Sequence, residues 1–264
     1  MDDSNRPFER DLSTTAPPRR VYPNAPITEA LIDFRVNYAS SMALDQLKRF
    51  GNAVRSEYPN QAAREVFQGQ IDLGPAEPKT IASRSTTGYI FSSADRRQAV
   101  QARLDGFTFS RFAPYEHWEA LVNEARRLWH VFVDVLSPVT VKRLAVRYVN
   151  QINLPLHGGT LKFEDYLRTF PQLAGIEEDV DLEQFFLRLV MPQRDLSAKL
   201  ILTEALLPPQ SDALGVILDI DLFRDDVSFD VRSEEMWSIL EAFRLRKNRY
   251  FEASITDAAR SLFG

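Results

Sequence analysis

The chain contains no cysteine. Disulfides, thiolate metal sites and cysteine nucleophiles are therefore excluded outright. Histidine is almost as scarce, with three in 264 residues: His117, His130 and His157. On one helix, the spacing of His117 and His130 separates them by about 220°, so they form no local two-histidine metal site. His157 falls in an expected loop beside Gly158 and Gly159. All three read as ordinary surface or boundary residues. The ten glycines build no Walker pattern, no Gly-x-Gly-x-x-Gly and no Gly-x-Ser-x-Gly elbow, so no cofactor is expected. No apolar run approaches the ~20 residues that span a bilayer. The N-terminal residues lack an apolar signal core, which gives a cytoplasmic expectation with no membrane partner. A basic excess is also missing. Net charge is −5, which argues against a surface that coats nucleic acid.

What is present is apolar periodicity. Residues 1–20 read as a polar, flexible lead ending in Pro17-Pro18-Arg19-Arg20. From Thr28, the residues Ala30, Ile32, Phe34, Val36 and Tyr38 alternate with Glu29, Asp33, Arg35 and Asn37, and Leu31 is the one exception. That is a strand with one buried face. Leu44, Leu47, Phe50 and Val54 then recur at helical spacing in a segment over Ala43 to Tyr58. Short strand-like runs follow at Val66 to Leu73, Lys79 to Ser85, Tyr89 to Ser92, Ala99 to Leu104 and Phe107 to Phe112. Gly74-Pro75, Gly88 and Asp105-Gly106 punctuate them as turns. An amphipathic helix is expected from Tyr115 to Leu136.

The order then recurs. A strand over Val141 to Leu154 buries Leu144, Val146, Tyr148, Ile152 and Leu154. A short helix follows at Phe163 to Phe170, and strands at Gln184 to Met191, Ala198 to Leu206 and Gly215 to Phe223. A second long helix runs from Ser233 to Ala253, and a last turn and helix spans Thr256 to Phe263. Both long helices carry Trp, Leu and Phe at the same spacing: Trp118, Leu121 and Phe132, then Trp237, Leu240 and Phe251. The plan predicts an α+β fold of two tandem β-α-β(4)-α-like units, residues 21–140 and 141–264, with a curved antiparallel sheet and helices on one face. This element order resembles the duplicated fold of the TATA-box-binding protein. A helix-grip fold around an apolar cavity is the competing expectation.

Two segments also resemble the signatures of a sporadically distributed prokaryotic family of about this length and unknown function. They are Tyr22-Pro23-Asn24-Ala25-Pro26-Ile27-Thr28-Glu29-Ala30 and Arg143-Leu144-Ala145-Val146-Arg147-Tyr148-Val149-Asn150-Gln151-Ile152. The resemblance implies a cytosolic prokaryotic protein and brings no activity or catalytic residue with it.

Three groups of residues carry candidate chemistry. The polar faces of the two leading strands offer Arg35, Asn37, Arg143, Arg147, Gln151 and Asn153, residue types that suit phosphate, base-edge or peptide contacts. Under the duplicated plan these strands lie near the middle of the open sheet face. The bland alternative is a solvated face of cross-strand ion pairs. Arg244, Arg246, Lys247 and Arg249 form a basic cluster late in the last long helix, either a partner patch or a favourable complement to the helix dipole. Asp219 and Asp221 share a strand face, and Glu204 on a neighbouring strand is the third carboxylate of a weak metal candidate. Alternation alone also explains these acids, with Leu218, Ile220 and Leu222 facing the core.

The functional expectation is a non-enzymatic binding or regulatory protein, with a protein as the first partner and nucleic acid as the second. A helix-grip-like module for a small apolar ligand is the alternative. A metal-dependent enzyme using carboxylates comes third.

Overall fold

The computed structural model describes residues 20–72, 79–156, 161–171, 182–208 and 213–264. His157, Gly158-Gly159, Gly74-Pro75 and the lead before Arg20 lie outside them. The first half runs β1 (Ile27–Asn37), α1 (Leu44–Val54), β2 (Asn60–Asp72), β3 (Lys79–Ser92), β4 (Gln98–Arg103), β5 (Gly106–Phe112) and α2 (Trp118–Leu136). The second runs β6 (Thr140–Pro155), α3 (Phe163–Tyr166), β7 (Phe186–Gln193), β8 (Ala198–Leu206), β9 (Ala213–Arg224), β10 (Phe229–Asp230), α4 (Glu234–Ser254) and α5 (Asp257–Ser261). The fold is α+β.

Among the described residues these strands form one open antiparallel sheet in the order β2-β3-β4-β5-β1-β6-β9-β8-β7, with β10 pairing β6. In each half the leading strand is innermost, its neighbour is the last long strand, and the rest follow outward in reverse chain order. β1 and β6 therefore meet antiparallel in the centre, with Ile32 opposite Val146 and Arg35 opposite Arg143. Strand alternation fixes which side chains go where. Ala30, Ile32 and Phe34 are fully buried on one face, as are Leu144, Val146, Ile152 and Leu154. Leu31, the break in the alternation, lies on the other face, half-buried and opposite Arg147.

The helices cover the apolar face. α1 packs on β3, β4 and α2; α2 packs on β1 and β5; α4 packs on β6 and β9. The two long helices start on capping side chains. His117 Nδ1 accepts from the Ala120 N–H at 3.1 Å, and Ser233 Oγ accepts from the Glu235 N–H at 3.2 Å. Ser137, in the left-handed region at φ 52°, ends α2. Four aromatic rings cluster under α2. Trp129 stacks on Phe132 with ring centroids 5.5 Å apart and lies 4.6 Å from Phe34 and 5.5 Å from Phe107. All four rings are fully buried, and each contributes roughly 1.5–3 kcal/mol by leaving water. Leu121, Leu240 and Phe251 of the repeated helix spacing are core as expected, and Trp118 and Trp237 are each 5% exposed.

Several boundaries differ from the sequence expectation. Gly88 does not end a strand. Lys79–Ser92 is continuous, with a bulge against β2 between Arg64 and Glu65. Gly88 sits where a side chain has no room, because a Cβ would lie 2.8 Å from the Cα of Arg103 on the adjacent strand. After its leading strand β6, the second half has among the described residues three long strands and the two-residue β10, and its first helix is a single turn. The long helix α2 starts at Trp118, where its apolar stripe begins and three residues later than the expected start at Tyr115, because His117 takes the cap.

Candidate functional site

The face of the sheet turned away from the helices has a charged centre built by β1, β4, β5, β6 and β9. Asp33 on β1 is its hub. Arg103 on β4 donates to Asp33 Oδ2 at 2.6 Å, Thr108 on β5 donates to the same oxygen at 2.8 Å, and Arg143 on β6 donates to Oδ1 at 2.8 Å. Burial alone pushes the Asp33 carboxyl up. The Arg103 guanidinium, with Arg143 and Thr108, outweighs that and holds it below the usual carboxylate range. Arg103 also donates to Asp105 at 3.1 Å and to the Phe34 carbonyl at 3.3 Å. Arg35 pairs with Asp105 and stands 3.7 Å from Asp33. Its own ionisation is pushed down by burial, and the neighbouring Arg103 and Arg143 charges add to that.

Arg147 and Asp219 form the second centre. Arg147 holds the carboxylate in a fork, Nε to Oδ1 at 2.8 Å and Nη2 to Oδ2 at 2.5 Å. This bidentate geometry gives the most directional of ion pairs, and that hydrogen bonding raises the Arg147 pKa. Asp221 lies 3.6 Å from Arg143. Burial lifts its carboxyl to about 6, and the Arg143 and Arg147 charges only partly offset that while Asp219 adds to it. Arg143 also lies 4.5 Å from the centre of the Phe223 ring, a cation–π contact.

The structure thus brings Arg35, Arg143 and Arg147 together on adjoining strands. Gln151 and Asn153 share that face of β6 further along and bond to each other at 3.1 Å. Asn37 is exposed at the end of β1, opposite Thr140. Sequence reasoning missed Arg103, Thr108 and Asp105, which complete the network from a hairpin some seventy residues away from Asp33.

Two expected groupings are not realised. Glu204 cannot join Asp219 and Asp221, because it stands opposite Leu218 on β9 and so points to the helix side, where it is fully buried. Leu218, Ile220 and Leu222 are fully buried, as the plain alternation required. Among the described residues no cluster of three or more metal-ligating side chains occurs. The basic patch on α4 is also broken up. Arg244 bonds to Glu241 and lies over Trp118, Arg246 bonds to Asp195 and Gln193, Lys247 is buried, and Arg249 is exposed.

Beyond the charged centre the same face carries large apolar side chains on either side of the exposed Arg188. The register carries Val190 on β7 across Ile201 to Asp221, and Phe186 across Ala205 to Ile217. These side chains therefore share the face of the ion pairs. Phe186 is 70% exposed and Val190 53% exposed. No helix among the described residues is long and apolar enough to cross a membrane. Compared with known proteins, the chain matches no family model and no curated sequence.

Proposed function

We propose that this chain is a non-enzymatic binding protein, built from two similar units, that docks another protein on the uncovered face of its sheet. The observation that carries this reading is the composition of that face. Its central arginines, Arg35, Arg103, Arg143 and Arg147, already hold aspartates, so a phosphate backbone would have to displace Asp33, Asp105 or Asp219 to reach them. A nucleic-acid surface instead needs free cations. Beside the ion pairs stand Phe186 and Val190, large and exposed. Fixed charges next to accessible apolar groups are the make-up of a protein interface, with an apolar anchor and a polar surround. The strand order, with both leading strands innermost, supports the two-unit reading.

The test is capture of partners from the host cell by the intact protein, run in parallel with Phe186→Asp/Val190→Asp and with Arg147→Glu. Both variants change exposed or half-exposed positions and are checked for an unchanged circular dichroism spectrum. A partner held by the wild type and lost from the first variant, with weakened retention by the second, supports the sheet face. A partner retained by both variants places recognition on the helical layer and overturns the proposal. Salt-sensitive oligonucleotide binding moves the reading to nucleic acid.

A further inference from the structure

On the opposite side of the sheet, a cavity of about 260 Å³ opens between the Arg20 to Ile27 segment, the residues preceding α2, the middle of β6 and the second half of α4. At ~30 Å³ per water molecule in the liquid it has room for one ring with a short arm. Tyr22, Tyr115, Trp118, Tyr148 and Phe251 supply aromatic walls.

Lys247 faces this space. It is 6% exposed, and its Nζ lies 3.6 Å from the centre of the Tyr148 ring. Among the described residues the amine meets this ring face, and no hydrogen bond or ion pair reaches it. A buried ammonium without an acceptor is costly. Burial, with the nearby Arg244 charge, accordingly brings its pKa down to about 7. Three other charged groups in the wall already have partners, while Arg20 and Arg249 are exposed at its rim. Arg244 bonds to Glu241, Glu252 accepts from Tyr22 and Arg260, and Glu116 pairs with Arg111. Tyr148 is tied to Tyr115 at 3.0 Å. An aromatic cavity whose one buried cation lacks an anion is complementary to a ligand that brings both a ring and a negative charge.

We propose that this cavity binds a small aromatic monocarboxylate, with the carboxylate accepting from Lys247 Nζ and the ring lying among Tyr22, Tyr115 and Trp118. The site is independent of the partner-binding face. Anion binding favours the charged amine, so binding takes up a proton wherever the free amine is neutral. Affinity is then highest below about pH 7 and falls by up to about tenfold per pH unit above it. The titratable and charged groups that line the cavity with Lys247 are Arg244, Arg249 and Glu252 on α4, Tyr148 on β6, Arg20 and Tyr22 from the N-terminal segment, and Tyr115, Glu116 and His117 before α2. His117 is the one histidine among them. Its contribution is separated with His117→Asn, which keeps a helix-capping side chain.

The experiment is calorimetric titration of the full chain with benzoate, phenylacetate and 3-phenylpropionate, and with phenylacetamide as the neutral isostere, at pH 6.0 and 8.5. At least one acid is expected to bind, with phenylacetate at pH 6.0 at least tenfold tighter than its amide and weakening at pH 8.5. Lys247→Met, which removes a buried charge and keeps an apolar body, is expected to abolish the preference for acid over amide and the pH dependence. His117→Asn is expected to leave both in place. No binding by any acid, equal affinity for acid and amide, or undiminished acid binding by Lys247→Met would each overturn the proposal.

Discussion

Asp33 and Arg103 form an ion pair at 2.6 Å with only 6% and 4% of their surfaces exposed, on the side of the sheet that the helices leave uncovered. They come from β1 and β4, which are separated in the sheet by β5. The pair is hidden because Thr108 and Arg143 close on the same carboxylate and Asp105 closes on the guanidinium. The middle of the uncovered face is therefore a fixed polar layer, where an ordinary solvated face would carry mobile side chains.

Breaking that layer from one side is expected to be severe. Asp33→Asn leaves the Arg103 charge buried without its counter-charge and costs about 3–5 kcal/mol. The double replacement Asp33→Leu with Arg103→Met removes both charges and is expected to recover part of that loss. Urea unfolding of the three proteins measures it. The acid limb gives a second readout. The Asp33 pKa is lowered in the folded protein, so its contribution is complete above its unfolded value near ~3.9 and is lost as pH falls through the folded one. Asp33→Asn should flatten stability across that acid window. A double variant no more stable than the single one would refute the pairing argument.

Trp129 is the second test position. Its ring lies at the centre of the aromatic cluster under α2, and its Nε1 donates to the Val231 carbonyl at 2.8 Å, both fully or nearly buried. That bond ties α2 to the segment preceding α4. Trp129→Phe keeps an aromatic ring but leaves the carbonyl unpaired, at an expected cost of about 1–3 kcal/mol. Trp129→Ala adds a cavity and is expected to cost about 3–5 kcal/mol. The neighbouring His130 is exposed, and His130→Ala should stay within about 0.5 kcal/mol of wild type. Denaturant midpoints order the three variants. A Trp129→Phe midpoint equal to the wild type would remove the hydrogen bond from the account.

Much of this architecture was legible because it is written in local periods. The two-residue alternation of β1 and β6 and the helical stripes of α2 and α4 identify their buried faces without knowledge of partners. Relations between strands are not written locally. Nothing near Asp33 signals that Arg103 will reach it. The register of β8 on β9 decides whether Glu204 shares a face with Asp219 or with Leu218, and the sequence does not print a register. The α4 cluster misleads for a related reason. Arg244, Arg246, Lys247 and Arg249 are close along the chain, but 100° steps distribute them around the helix, and only the packing reveals that Lys247 points inward.

Glu204 gives the last prediction. It lies on β8 between Leu202 and Leu206, fully buried, with neither carboxylate oxygen hydrogen-bonded. Burial raises its pKa to about 8. The folded protein therefore keeps the proton over a range in which the unfolded chain has released it. Below the unfolded value near ~4.3 both states are protonated and the residue carries no ionisation penalty. From there to about pH 8 stability falls as pH rises, and above it the full penalty applies in both wild type and any variant that keeps the acid. Glu204→Gln removes the titration, and Glu204→Leu also removes the unpaired polar atoms. Both variants are expected to gain on wild type with rising pH, by an upper limit on the order of 3 kcal/mol near neutrality at ~1.36 kcal/mol per unit. Chemical denaturation at pH 4.5, 6.0, 7.5 and 8.5 resolves the trend, and parallel pH profiles for the wild type and Glu204→Gln would mean that the carboxyl does not carry its proton into the neutral range.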